Sequence, residues 1–285
     1  MPTYRVCELA SQDVTVVLSG DGGDENLAGY RRYAQHLEDL AFKSSIPAAV
    51  RGQLGVIGGM YPDSPLLPRL LQRRQGLLSM GQDEVASFFD INAVMKRDLR
   101  TSLYSTEFRS RLQDYDAVEV FRAHAAASPT DDPLSLAQYL DLKTYLPGDI
   151  LAKVDRASMA HSIEVRVPLL DHDLVEWISS LPTDLKRRNG EGKFLLKKAM
   201  EPWLSHDILY RPKKGFAVPL AAWFRGPLRG RLRNALESEA LNDTGIFDHD
   251  RLARLFLQHD KGQRDWSTPL WSVLMFEAFL QGEST

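Results

Sequence analysis

Along the first forty residues the apolar pattern changes period twice. Tyr4 to Ala10 spaces its apolar residues as a short helix, with Tyr4, Val6 and Leu9 as candidate apolar contacts. Val14-Thr-Val-Val-Leu18 is β-branched and bounded by turn residues, and this predicts a buried strand. The turn Ser19-Gly-Asp-Gly-Gly-Asp-Glu25 follows, and the spacing then predicts a helix from about Asp24 to Phe42. Strand, glycine-rich turn and helix in that order form the local unit of α/β nucleotide-binding folds.

The rest of the pattern is helical. Ser44 to Pro68 holds Pro47, Pro62, Pro65 and Pro68 and reads as connection and short helix. Leu70 to Ser128 has helical spacing, with Phe88, Phe89, Ile91 and Val94 giving part of an apolar face. Leu134 to Tyr145 reads as a helix stopped by Pro147-Gly148, after which Asp149 starts another helix as its N-cap. Ile150, Leu151, Val154 and Ala157 form the apolar stripe of that next helix. Glu164-Val-Arg-Val-Pro168 alternates and is extended. Asp171 or Asp173 caps a helix ending near Leu181-Pro182, and Lys193 to Trp203 is helical. A helix begins at Asp248, with Phe247 and Leu252 placed as a hydrophobic staple, and the last runs from about Leu270 to Leu280. The division expected is 1–43 as a helix-strand-loop-helix piece of a nucleotide-binding sheet, 44–130 as connecting segment and helices, and 131–285 as a helical remainder. The chain is thus mainly α with one convincing buried strand. A lone apolar strand leaves its backbone unpaired, so its sheet neighbours are expected upstream.

Composition narrows the class. The 285 residues carry 35 basic and 38 acidic side chains, a net charge of −3, with 44% apolar residues. These are ordinary globular values, and the length suits about one or two domains. No apolar run approaches the roughly 18 residues of a membrane span, and the amino terminus has no signal-peptide pattern. The acidic balance argues against wholesale nucleic-acid binding. The single cysteine, Cys7, excludes a disulfide framework and a multi-cysteine metal site. A cytoplasmic enzyme, or part of one, is expected.

The sharpest chemistry lies in residues 19–25. Three glycines let the backbone approach a ligand, and the following helix N-terminus suits phosphate. No Gly-Lys-Ser/Thr follows, so this is not a Walker loop, and the carboxylate spacing fails for an EF-hand. Asp21, Asp24 and Glu25 would repel a bare polyphosphate, whereas Mg²⁺ bridging them to phosphate makes sense of the set. A tight turn with Asp24 capping the helix stands equally open. Lys213 and Lys214 read by themselves as a solvated basic pair. Asp149 is either a cap or a group that holds a substrate amino group. Lys153, Asp155 and Arg156, and Glu164 with Arg166, read as structural ion pairs. Tyr30 and Tyr33 read as packing. The seven histidines form no metal-ligand pair, and Cys7 reads as a buried or incidental thiol.

Ser19-Gly-Asp-Gly-Gly-Asp-Glu-Asn-Leu-Ala-Gly-Tyr-Arg-Arg-Tyr33 resembles the second characteristic loop of the synthetase domain of glutamine-hydrolysing asparagine synthetases. Tyr145-Leu-Pro-Gly-Asp-Ile-Leu-Ala-Lys-Val-Asp-Arg-Ala-Ser-Met-Ala-His-Ser-Ile-Glu-Val-Arg-Val-Pro-Leu-Leu-Asp-His172 is an equally long likeness to that family. Lys193-Phe-Leu-Leu-Lys-Lys-Ala-Met200 and Arg211-Pro-Lys-Lys-Gly-Phe-Ala-Val-Pro219 continue it in the expected order over nearly the whole chain. Asn26 departs from the family's usual Leu or Val.

The resemblance implies an α/β fold of the adenine nucleotide alpha hydrolase type, truncated in this chain. It implies ATP and Mg²⁺ as cofactors, and aspartate whose side-chain carboxylate is adenylated. Ammonia from a glutaminase domain then displaces AMP. Asp24 becomes the Mg²⁺-pyrophosphate ligand, Lys213 the lysine facing the phosphates and activated acyl group, and Asp21 the acidic group that takes part in ammonia addition. Ser19, Gly20, Gly22, Gly23, Glu25 and Asp149 become nucleotide or substrate contacts. A homodimer is implied for the full-length form.

Two parts of the family pattern are missing from the sequence. No Ser-Gly-Gly-x-Asp-Ser pyrophosphate loop occurs, and no N-terminal nucleophilic cysteine of a glutaminase. The expectation is a chain truncated at or near Met1 and inactive by itself. The alternatives are a related adenylating amidotransferase of the β-lactam synthetase, lasso-peptide cyclase or polysaccharide-associated type, or a helical non-catalytic subunit of a split synthetase.

Overall fold

A computed structural model describes residues 2–60, 74–211 and 218–282. It divides into two compact units, Met1–Pro47 with Glu84–Phe88 and Val118–Phe216, and Ala48–Asp83 with Phe89–Ala117 and Ala217–Thr285. The described chain is mainly helical, and no helix in it is long and apolar enough to cross a membrane.

In the first unit, α1 (Pro2–Ala10) precedes strand β1 (Val16–Leu18). β1 pairs in parallel with β2 (Glu164–Arg166), in the register Val16–Glu164, Val17–Val165 and Leu18–Arg166. Amides at both ends extend the ladder: Ser19 N donates to Arg166 O at 2.8 Å and Glu164 N to Thr15 O at 2.9 Å. The partner of β1 thus lies downstream in this chain, in the segment whose alternation predicts an extended backbone. The strand is not buried as expected. Val17 joins Cys7, Ala157, Ile163 and Val165 in a small core, while Val16 is 39% and Leu18 74% exposed. Side chains alternate across a strand, so covering the Val17 face alone leaves Val14, Val16 and Leu18 outside. The same cluster corrects α1. Cys7 and Ala10 turn inward, and Tyr4, Val6 and Leu9 are exposed.

The expected helix from Asp24 to Phe42 is broken. α2 (Gly23–Asn26) is one turn, and α3 (Arg31–Ser44) follows after Leu27–Tyr30. Ala28 is left-handed with φ 54°, and Gly29 N donates to Asp24 O at 2.8 Å. The carbonyl of Leu27 is taken by Lys193 N at 2.7 Å. A contact from a distant segment therefore overrides the local helical pattern.

Pro147-Gly148 does not stop the chain either. The helix Pro133–Lys143, capped by Asp132, ends at Thr144; a π turn over Leu146–Leu151 follows and runs directly into the helix Ala152–Met159. Pro147 sits in the first turn, where a missing N–H costs little. Asp149 consequently lies inside the π turn and caps nothing, contrary to expectation. Asp171 does cap the helix His172–Ser180, accepting from Asp173 N and Leu174 N. His36, in α3, is buried against Phe88, and burial pulls its pKa down to about 4, so the imidazole is neutral at pH 7.

The second unit packs its core on Phe224, Leu232, Leu252, Leu255, Leu270 and Val273. Asp248 accepts from Arg251 N at 2.9 Å and caps the helix His249–Asp260. Phe247 and Leu252 both join that core, as the staple pattern predicts. Within 84–128 the helical expectation resolves into short helices, and Val94 falls beyond the end of Glu84–Asn92 and is exposed. Pro62, Pro65, Pro68 and Leu70 lie outside the described residues.

Candidate active site

The loop between β1 and α3 builds one wall of the site. Gly22 has φ 81°, and a Cβ there would stand 2.1 Å from the Leu170 side chain, so this bend requires glycine. The opposite wall is the hairpin of β3 (Arg187–Arg188) and β4 (Glu191–Gly192). Gly192 passes so close to the loop that a Cβ would meet Ala28 O at 2.0 Å. Lys193 then turns left-handed, φ 58°, and opens the helix Phe194–Met200.

These approaches bring Lys193 Nζ to 3.3 Å from Asp24 Oδ2. The pair lies on a cleft of about 960 Å³ whose lining also includes Gly29, Lys197, Tyr210 and Arg211. Lys193, Lys197 and Arg211 stand against the carboxylates of Asp24 and Glu191, the latter 3.4 Å from Lys197 Nζ, so the cleft keeps an excess of one positive charge, the sign that suits a polyphosphate.

The three acids of the glycine-rich turn separate. Asp24 faces the cleft. Asp21 is half-buried and accepts from Ser19 Oγ at 2.6 Å. Glu25 is 1% exposed, turns into the interior and accepts from Tyr30 OH at 2.8 Å. Gly23 is buried and Gly20 exposed. Asp149 is exposed on its π turn and does not line the cleft. Lys213 and Lys214 lie outside the described residues. Glu164 Oε1 accepts from Arg166 Nε at 2.6 Å on the exposed side of β2, and Asp155 and Arg156 stand 3.8 Å apart, both exposed.

Beneath the loop lies a polar scaffold that the sequence reading did not single out. Gln138 Nε2 donates to the carbonyls of Glu25 and Asn26 at 2.6 and 2.7 Å. Asn26 Nδ2 donates to Leu169 O at 2.8 Å, so the family departure at this position fills a hydrogen-bonding place. Arg32 donates from Nε and Nη2 to Asp141 Oδ2 at 3.0 and 2.8 Å, and Tyr33 OH donates to the same oxygen at 2.6 Å. Burial raises the Asp141 carboxyl above its ordinary value, while Arg32 and Tyr33 pull it back. Burial also raises Tyr33 and Tyr30, with Asp141 and Glu25 respectively adding to the effect. Tyr30 and Tyr33 are therefore hydrogen-bonded parts of this scaffold as well as packed rings. The signal available in sequence was Asp141 itself, an acid on the buried face of the helix Pro133–Lys143 beside Leu134, Ala137 and Leu140.

The donor set at Asp24 can be compared with what a divalent cation takes. Among the described residues the tight group of three acids and histidines is Asp171, His172 and Asp173, which is exposed and not part of the cleft lining. Asp24 offers a single carboxylate beside a lysine. Mg²⁺ usually keeps one or two carboxylates and completes its shell with water and phosphate oxygens. The site therefore fits Mg²⁺ carried in with a polyphosphate, and not a cage made of protein ligands alone.

The sequence matches the family described as asparagine synthase over residues 1–281. It is 31% identical over 277 residues to the glutamine-hydrolyzing asparagine synthetase 1 of Bacillus subtilis, covering 97% of this chain and 42% of that protein. A putative glutamine-hydrolyzing asparagine synthetase of Mycobacterium tuberculosis is 32% identical over 278 residues, with 97% and 40% covered. The amidase chyE of Penicillium rubens is 26% identical over 261 residues, with 84% and 37% covered. The chain spans about two fifths of the length of these relatives.

Proposed function

Since the chain belongs to the asparagine synthase family, we propose that it supplies the metal-phosphate side of a site that adenylates the side-chain carboxylate of aspartate with ATP. Ammonia drawn from glutamine then completes the amide. The observation that carries this reading is the Asp24–Lys193 pair on the cationic cleft.

A carboxylate oxygen attacks the α-phosphorus, pyrophosphate leaves, and charge builds on the phosphate oxygens. Lys193, Lys197 and Arg211, which border the cleft, are proposed to neutralise that charge, Lys193 from its pair with Asp24 and Lys197 from its pair with Glu191. Asp24 would hold Mg²⁺, which supplies Lewis-acid stabilisation of the leaving pyrophosphate. In the second step nitrogen attacks the acyl carbon, the acyl C–O bond breaks, and AMP departs. Asp21, held by the Ser19 hydroxyl, is the proposed acceptor of the proton that nitrogen loses. Lys213 is proposed to face the acyl phosphate and Asp149 the substrate amino group. The backbone of Ser19, Gly20, Gly22 and Gly23 is proposed to border the nucleotide. Glu25, with its carboxylate turned inward, is assigned to shaping the loop.

The 285 residues include no Ser-Gly-Gly-x-Asp-Ser string, and the chain by itself is proposed to be inactive. The test is exchange of radiolabelled pyrophosphate into ATP. It compares this chain with a longer polypeptide in which such a phosphate loop precedes it. Aspartate-dependent exchange is expected only from the longer polypeptide. Exchange by the chain alone would refute the proposed inactivity, and exchange indifferent to aspartate would refute the substrate.

A further inference from the structure

Arg32 lies outside the cleft lining, yet it joins the loop that carries Asp24 to the turn that carries Asp149. Its guanidinium sits 3.9 Å from the centre of the Tyr30 ring and 4.2 Å from that of Tyr145. Tyr30 closes the loop that carries Asp24, and Tyr145 immediately precedes the π turn that carries Asp149. The third attachment is Asp141, whose side chain is fully buried.

We propose that Arg32 is a positioning residue, a clamp whose stacking between Tyr30 and Tyr145 and anchorage on Asp141 make the Asp24 loop and the 146–151 turn move as one body. The loop has reason to need holding. Ala28 is at φ 54°, a conformation that a non-glycine residue keeps only when its surroundings determine it. The turn is a π turn, a geometry that is rare and concentrated at functional sites. Asp141 is a buried carboxylate held by Arg32, and the buried Glu25 acts on it with like charge, so the charge of the clamp is wanted as well as its shape. Lysine offers a comparable charge without the planar face or the fork that stacks on two rings while binding Oδ2 twice.

The effect on ligand rests on the adenylation reading, whereas the coupling of the two segments does not. The test is amide hydrogen exchange in this chain for wild type, Arg32→Lys, Arg32→Met and Tyr145→Leu. Exchange over residues 22–30 and 145–151 is expected to rise together, by about tenfold in Arg32→Lys and more in Arg32→Met. The helix His172–Ser180 is expected to stay unchanged. Tyr145→Leu is expected to loosen residues 22–30 although it lies in the other segment. Loosening of one segment without the other would overturn the proposal. So would unchanged exchange in every variant, or a uniform rise that includes 172–180, the mark of a merely structural role. In the longer polypeptide, Arg32→Lys is also expected to weaken Mg²⁺-pyrophosphate binding by about tenfold, because the loop that carries Asp24 is then held less firmly. If the wild-type polypeptide binds no Mg²⁺-pyrophosphate while the segments still loosen together, the adenylation reading fails and the clamp stands.

Discussion

Asp24→Asn is expected to lower aspartate-dependent ATP–pyrophosphate exchange in the longer polypeptide by about a hundredfold to a thousandfold. The substitution keeps the size of the side chain and removes its charge. With one protein carboxylate facing the cleft from the glycine-rich turn, no neighbour on that turn makes up the loss. Asp21 is engaged with Ser19, and Glu25 points inward. The fold is expected to tolerate the change, because Asp24 shapes the loop through its backbone carbonyl, which accepts from Gly29 N. Calorimetric titration with Mg²⁺-pyrophosphate should show the same loss, with the circular dichroism spectrum unchanged. Asp21→Asn is the matched comparison. It should leave pyrophosphate exchange near the wild-type rate and slow amide formation, since its assigned proton transfer follows adenylation. Equal exchange by wild type and Asp24→Asn would remove Asp24 from the metal-phosphate role.

The largest stability effect is expected at Asp141. Asp141→Leu should cost about 3–5 kcal/mol, the usual result of removing one partner from a buried ion pair. Arg32, whose side chain is 17% exposed, would keep its charge without its counter-ion, and Tyr33 OH would lose its acceptor. Asp141→Asn preserves an acceptor for Tyr33 and should cost less. Arg32→Met combined with Asp141→Leu should recover part of the loss, since the stranded charge is then gone. Urea unfolding of the four proteins, with hydrogen exchange assigning the transition to the first unit, measures each value. Acid should affect this group in an unusual direction. Its folded-state pKa is raised, so the native state takes up the proton more readily than the unfolded chain does. The contribution of Asp141 therefore falls as pH rises through the carboxylate range and is not lost on acidification. A loss under 1 kcal/mol in Asp141→Leu would show that the pair is dispensable to the fold.

What the sequence disclosed was local. The β-branched run gives β1, the glycine-rich turn gives the loop, and Asp171 and Asp248 cap the helices they precede. Each of these depends on a few consecutive residues, where propensity and capping decide the outcome. The missed features depend on partners far along the chain. The break at Ala28 follows from Lys193 taking the Leu27 carbonyl. Arg32 and Asp141 are 109 residues apart, and no periodicity announces that they meet. Tyr30 and Tyr33 show their helical spacing in sequence, but the carboxylates that their hydroxyls reach do not. The exposed face of β1 was unreadable for another reason. A run of Val and Leu reports that a strand is apolar, and only the packing around it reports which side is covered.

The most direct measurement follows an oxygen atom. Aspartate labelled with heavy oxygen in its side-chain carboxylate, incubated with ATP, Mg²⁺ and ammonia and the longer polypeptide, should pass one labelled oxygen to AMP. Adenylation makes that carboxylate oxygen the bridge to phosphorus, and amide formation leaves it on the phosphate. AMP carrying one labelled oxygen, formed in step with asparagine, is the predicted result. ADP with label in inorganic phosphate, or AMP without label, would contradict the account.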